Sequence, residues 1–160
     1  MVCVEVANMD QWLNADGKPY DPSRTLASWQ AGDASAEREL SEQLYHQGTV
    51  KSASYAAVEV IVSMFVGARS LDWKAYALLA SIEEGRLNAA NPAIPIELEG
   101  PYHGAWKRVL PHALADLADA ADDPTVRSIL AVIAYAKGQH SIAAIILCTE
   151  DERLEMLGTA

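Results

Sequence analysis

Between Tyr55 and Val66 only Glu59 and Ser63 are polar, and they lie four residues apart. Four residues is about one helical turn, so this segment is apolar around most of its circumference, with one narrow polar strip. Such a helix is expected at the centre of a fold, with neighbours on several sides. The flanking segments are amphipathic and supply those neighbours. Leu40 and Leu44, with Tyr45 beside them, predict a helix over about 35–47, opened by Asp33 or Ser35 and stopped at Gly48. Thr49 or Ser52 then opens the central helix. Asp72 opens another, in which Ala75, Leu78, Leu79 and Ile82 recur at i, i+3, i+4 and i+7, running to about Leu87.

From Tyr102 the stripe Trp106, Val109, Leu110, Ala113 and Leu117 is again helical. Pro111 lies inside it and removes the bond to the Lys107 carbonyl, which predicts a kink rather than a break. In Asp122-Asp123-Pro124-Thr125-Val126-Arg127, Asp123 can cap and Pro124 fits the first helical position. Val126, Ile129, Leu130 and Ile133 form the buried stripe, and Gly138 stops the helix. Ser141 opens a strongly apolar outer helix, Ile142 to about Cys148, and acidic Glu150 to Glu155 predicts one more short turn.

Two stretches lack this period. In residues 1–34, Val2, Val4 and Val6 alternate with Cys3 and Glu5 as a short strand would, and 16–22 is rich in turn residues. Trp12, Leu13, Tyr20, Leu26 and Trp29 are expected to lay this segment over the body as a packed arm. The stretch Asn88 to Pro101 carries three prolines and a glycine, and reads as a loop with one helical turn around 97–99. The chain therefore divides into an arm, 1–34, and an all-α body, 35–160. Helix pairs at about 35–67, 72–118 and 124–148, with a kinking proline and an Asp-Pro-x-Val-Arg opening, have the spacing of a HEAT-type array. A plain helical bundle is the alternative.

Charge narrows the partners. The 160 residues carry 22 acids against 12 bases, a formal charge of −10, with the excess spread along the whole chain. An evenly acidic surface repels phosphate backbones and anionic lipid, so neither nucleic acid nor membrane is an expected partner. A basic protein would be steered towards it, although acidity also serves solubility alone. Two distant cysteines, Cys3 and Cys148, have no metal or redox spacing and are expected to stay reduced. No signal-peptide pattern opens the chain and no apolar run reaches eighteen residues, so a cytoplasmic location is expected.

A wider set of residues carries a resemblance. Pro19-Tyr20-Asp21, His46-Gln47-Gly48-Thr49-Val50, Ala53-Ser54-Tyr55-Ala56-Ala57-Val58, Asp72-Trp73, Tyr76-Ala77-Leu78, Ser81-Ile82-Glu83 and Arg127-Ser128-Ile129-Leu130 resemble a family of short bacterial HEAT-like proteins of unassigned function. The resemblance covers most of the chain and departs at Glu59, where proline is expected after Ala-Ala-Val. It implies an α-α superhelix of about three helix pairs and a bacterial source, and it brings no catalytic residues.

The candidate chemistry is sparse. His46, Gln47 and Thr49 form a polar knot between two helices, where they serve either a ligand or the unpaired backbone groups of the junction. Glu59 and the pair Glu83-Glu84 could act with His103 or His112, but no Glu-x-x-His spacing is present, so no metal or other cofactor is expected. Glu59 is expected to face water or a partner, or to pair with Arg86 or Arg127. His112 and Asp116, one turn apart beside Arg108, read as a solvated face. No Gly-x-Ser-x-Gly or glycine-rich phosphate loop occurs. Trp73, Tyr76, Tyr102 and Trp106 sit at or near helix starts, either as core or as interface anchors on an exposed rim.

The expected function is a non-enzymatic protein-binding module, in its sharpest form an immunity or antitoxin-like protein that neutralises a basic partner. The partner-binding candidates are His46, Gln47, Glu59, Trp73, Tyr76, Glu83, Tyr102 and Trp106. The alternative is a small hydrolase using Glu59 or Glu83 with a histidine. An exposed apolar patch on Ile142 to Cys148 would argue instead for self-association.

Overall fold

The computed structural model describes residues 12–65 and 72–158, and these form an all-α protein. Among the described residues there are eight helices: α1 (Ser23–Gln30), α2 (Ala34–Leu44), α3 (Ser52–Phe65), α4 (Trp73–Leu87), α5 (Ile96–Leu117), α6 (Asp123–Ala136), α7 (His140–Leu147) and α8 (Glu150–Met156). The strand expected at Val2 to Val6 lies outside the described residues. No helix among them is long and apolar enough to cross a membrane.

Helices pack both on their sequence neighbours, as α1 on α2, α5 on α6 and α6 on α7, and on helices two apart in sequence. α3 lies on α1, α4 and α5, and α4 lies on α6 and more lightly on α2. α7 closes one end against α6 and α4. α3 presents Ala53, Tyr55, Ala57, Val58, Ile61 and Val62 to the core and leaves Val60, Glu59 and Ser63 towards the outside. It therefore shares the central position with α4, whose buried residues Ala75, Tyr76, Leu78, Leu79, Ala80, Ile82, Glu83 and Gly85 cover more than half of the helix circumference.

The arm contains a helix that the hydrophobic pattern did not reveal. α1 is only eight residues long and buries just Leu26 and Trp29, too few apolar positions to establish a period. Ahead of it, the Leu13 amide donates to Ser52 Oγ at 2.9 Å and the Ala53 amide to the Leu13 carbonyl at 3.0 Å. The buried Asn14 side chain donates through Nδ2 to Gln43 Oε1 at 2.6 Å, and the Ala15 backbone amide donates to the Gln43 carbonyl at 2.8 Å. Ser52 thus anchors the arm to the start of α3. Trp29 Nε1 donates to Asp72 Oδ2 at 3.2 Å, while Oδ1 of the same carboxylate caps α4 through the Lys74 amide at 3.0 Å.

Several boundaries move, each for a local reason. α2 is capped by Asp33, which accepts from the Ser35 amide, but it ends at Leu44 rather than near Gln47. Tyr45 is extended, and Gln47 (φ 48°) and Gly48 (φ 82°) make a tight left-handed turn bridged between His46 and Thr49. Gly48 is therefore a turn residue rather than a helix stop. α5 begins at Ile96 and runs through both Pro101 and Pro111. Gly100 has no Cβ to meet the Pro101 ring, and Glu97 and Glu99 suit the positive end of the helix. α6 is capped by Asp122, one residue before the expected Asp123, through the Thr125 amide at 3.0 Å. Arg127, from the same motif, donates to the carbonyls of Leu147 and Cys148 at 3.0 and 3.2 Å, which satisfies the open end of α7.

Candidate functional site

The deepest polar cluster joins α4 to α5. Glu83 and Arg86 are one turn apart, and Arg86 donates through Nε at 2.7 Å and through its NH2 nitrogen at 2.6 Å to the two carboxylate oxygens. Tyr102, projecting from α5, donates its hydroxyl to Glu83 Oε2 at 2.5 Å. The Glu83 side chain is only 8 % exposed and that of Arg86 25 %. This is a fork-to-fork pair taken out of water, the geometry in which a guanidinium and a carboxylate bind most strongly. Hydrogen bonding to Glu83 holds Arg86 firmly protonated. Burial, reinforced by the Glu83 charge, raises the Tyr102 hydroxyl well above its ordinary pKa. Tyr102 also meets Tyr55 edge-on, with ring centroids 5.8 Å apart.

A cleft of about 600 Å³ opens above this cluster between α4, α5 and the turn after α6. Arg86, His103, Trp106, Lys107, Tyr135 and His140 line it, with Glu83 in its floor. Trp106 packs edge-on to Tyr135 at 6.3 Å, and Tyr135 lies against His140 at 6.2 Å, so one wall is aromatic. The Trp106 indole N–H is buried and close enough to the Tyr102 hydroxyl to lower its pKa, but it meets no acceptor at hydrogen-bond geometry.

A second depression runs between α2 and α4. Two adjoining hollows of about 530 and 230 Å³ share Glu37, Ser41, Tyr45 and Lys74. His46 and Gln47 border one end, and Trp73, 39 % exposed, borders the other. Lys74 Nζ bridges the groove to Glu37 at 2.8 Å, and Tyr45 donates its hydroxyl to Glu84 at 3.1 Å. Burial is the main cause of the raised Tyr45 pKa, with the Glu84 charge adding to it.

The eight sequence candidates therefore separate. His46, Gln47 and Trp73 share the α2–α4 groove. Glu83 and Trp106 belong to the cleft, above the buried Tyr102. Glu59 stands apart, half-exposed on α3, and pairs with Arg108 at 3.5 Å rather than with Arg86 or Arg127. Tyr76 and Tyr102 are 0 % and 1 % exposed, so they are core residues and offer no surface to a partner. Tyr76 donates its hydroxyl to Asp116 at 2.5 Å, which makes Asp116 half-buried structure rather than part of a solvated face with His112. Tyr135, Lys107, His140 and Tyr45 emerge as lining residues that no sequence motif marks. Tyr45, Tyr135 and His140 lie near the ends of helices and Lys107 lies in the middle of one, positions that many surface residues share.

Among the described residues, no group of three or more His, Cys, Asp or Glu side chains could hold a metal ion. Comparison with family models, with curated proteins and with solved structures finds no match to this chain. Among the described residues the arrangement gives an all-α protein that carries, at separate places, an amphipathic groove and a cationic cleft.

Proposed function

We propose that this chain is a non-enzymatic protein-binding module, built as a HEAT-like α-α stack, which takes a segment of a basic partner protein in the α2–α4 groove. The observation that carries the reading is the exposed Trp73 at the mouth of a groove that also holds Tyr45, His46 and Gln47. A large aromatic half out of water beside polar groups is the usual anchor of a protein interface. Packing of each helix both on its sequence neighbour and on the helix two apart, as in α5 on α6 and α4 on α6, supports the stacked architecture. Within the groove itself the charges balance, Glu37 and Glu42 against Arg38 and Lys74. The overall charge of −10 is what favours a basic partner, as an immunity or antitoxin-like protein would need.

The rival reading, a small hydrolase, requires a free carboxylate beside a histidine. Glu83 is committed to Arg86 and Tyr102, and Glu59 to Arg108, so neither carboxylate is poised as a base. The test is capture of partners on the immobilised protein from a lysate of its native cells, at low and at high salt. A single basic protein retained in near-equal amount at low salt and released at high salt is expected. Retention of acidic proteins, or of nothing, contradicts the reading.

A further inference from the structure

The cleft over the Glu83–Arg86 pair differs in charge from the protein around it. Its floor is neutral overall, because the Arg86 charge is balanced by the Glu83 carboxylate at 2.6 Å. Lys107 adds one positive charge at the rim, and no second carboxylate lines the cleft. His103 and His140 supply exposed ring N–H donors on opposite sides, and Trp106, Tyr135 and Leu110 supply an apolar wall. Arg86 uses Nε and one NH2 hydrogen on Glu83, so the outer edge of its guanidinium retains donors. The volume, about 600 Å³, is in the range of small-molecule sites.

We propose that this cleft binds a carboxylate carried on an aromatic or branched apolar body. The carboxylate sits between the free edge of Arg86 and Lys107, with a histidine N–H beside it, and the apolar body lies on Trp106 and Tyr135. Charge decides the class. One uncompensated cation over a neutral floor matches a monoanion, whereas a phosphate dianion would leave a net negative charge in the cleft. Glu83 has a second role here: it holds Arg86 in one orientation, so the remaining donors are already aimed when the ligand arrives. A carboxylate of this kind comes either as a free small acid or as the end of a peptide chain. The site shares no lining residue with the α2–α4 groove, so it stands or falls independently of the proposed function.

The probes are N-acetyl-phenylalanine, its amide, and a short peptide ending in phenylalanine with a free carboxylate. The readout is the set of side-chain resonances of His103, His140 and Trp106 during titration. The acid is expected to saturate with a dissociation constant of about 1 mM, shifting all three, and the amide to bind about tenfold more weakly. Lys107→Gln, at an exposed position, is expected to weaken the acid about tenfold and the amide not at all. Arg24→Gln, the same charge loss on α1, is expected to leave both titrations unchanged. Tighter binding of the peptide assigns the natural source to a chain end, and equal or weaker binding assigns it to a free acid. Equal binding of acid and amide, an unchanged acid affinity in Lys107→Gln, or no saturation by the acid overturns the proposal.

Discussion

Tyr102 and Glu83 are nineteen residues apart in sequence, yet the tyrosine hydroxyl donates to the buried carboxylate at 2.5 Å and ties α5 to α4. The same carboxylate accepts two hydrogen bonds from Arg86, so the three polar side chains bind one another beneath the cleft. Removing either charged member leaves the other charge with no ionic partner, which costs more than the pair itself contributes.

Arg86→Ala is therefore expected to destabilise the protein by about 3 kcal/mol, the low end for a broken buried pair, because a quarter of the Arg86 side chain reaches water. Tyr102→Phe is expected to cost about 1.5 kcal/mol, the loss of one hydrogen bond to a charged group. Urea unfolding of both variants checks this. A cost below about 1 kcal/mol for Arg86→Ala would put the pair in the class of surface ion pairs.

All six tyrosines of the chain have raised pKa values, and burial is the largest cause in each case. Tyr20 is pushed up to about 12, with its hydroxyl bonded to Thr25 and Glu39. In the unfolded chain a tyrosine ionises near pH 10. Between that pH and the higher folded values, the unfolded state holds fewer protons than the folded one, so stability falls as pH rises. The stabilisation is complete below about pH 10 and is lost above it. Ultraviolet titration should show little phenolate until the protein unfolds cooperatively in alkali. Six independent titrations near pH 10 with the helical circular dichroism intact would contradict the burial described.

Gly85 sits buried in α4 where a Cβ would meet Val50 Cγ1 at 2.6 Å. Helix propensity alone favours alanine there by about 1 kcal/mol. Crowding against Val50, which lies in the turn before α3, should outweigh it and leave Gly85→Ala less stable by about 1–2 kcal/mol. Adding Val50→Ala should bring a recovery relative to Val50→Ala alone, measured by a double-mutant cycle of thermal unfolding. A stabilised Gly85→Ala variant would show that the close approach is easily relieved.

The long helices were legible because their apolar positions recur at helical spacing, as in Ala75, Leu78, Leu79 and Ile82 of α4. Asp33 and Asp72 were legible as caps for a similarly local reason. α1 was not, since Leu26 and Trp29 alone make no period, and the start of α5 was hidden because Gly100-Pro101 normally punctuates a helix. Side-chain partners across helices were beyond reach. Nothing local to Glu83 announces Tyr102, nothing in Tyr76 announces Asp116, and Asn91 lies in a loop with no period. Its side-chain amide nevertheless donates to the Gly48 and Gly85 carbonyls, both at 2.7 Å, joining the α2–α3 turn to the end of α4. For the candidate site, residue type distinguished aromatic from charged positions, but the helix packing decided which were exposed. Trp73 lies on the surface, while Tyr76, three residues later, is wholly buried.

The claim that the α2–α4 groove is the working surface is tested most directly by comparing wild type with Trp73→Ala in quantitative partner capture at low salt. Trp73 is 39 % exposed, so its truncation is expected to leave thermal stability within a few degrees of wild type. Wild type is expected to retain one basic protein and Trp73→Ala at most about one tenth as much, the loss of a single aromatic anchor. Equal retention by the two proteins would contradict it.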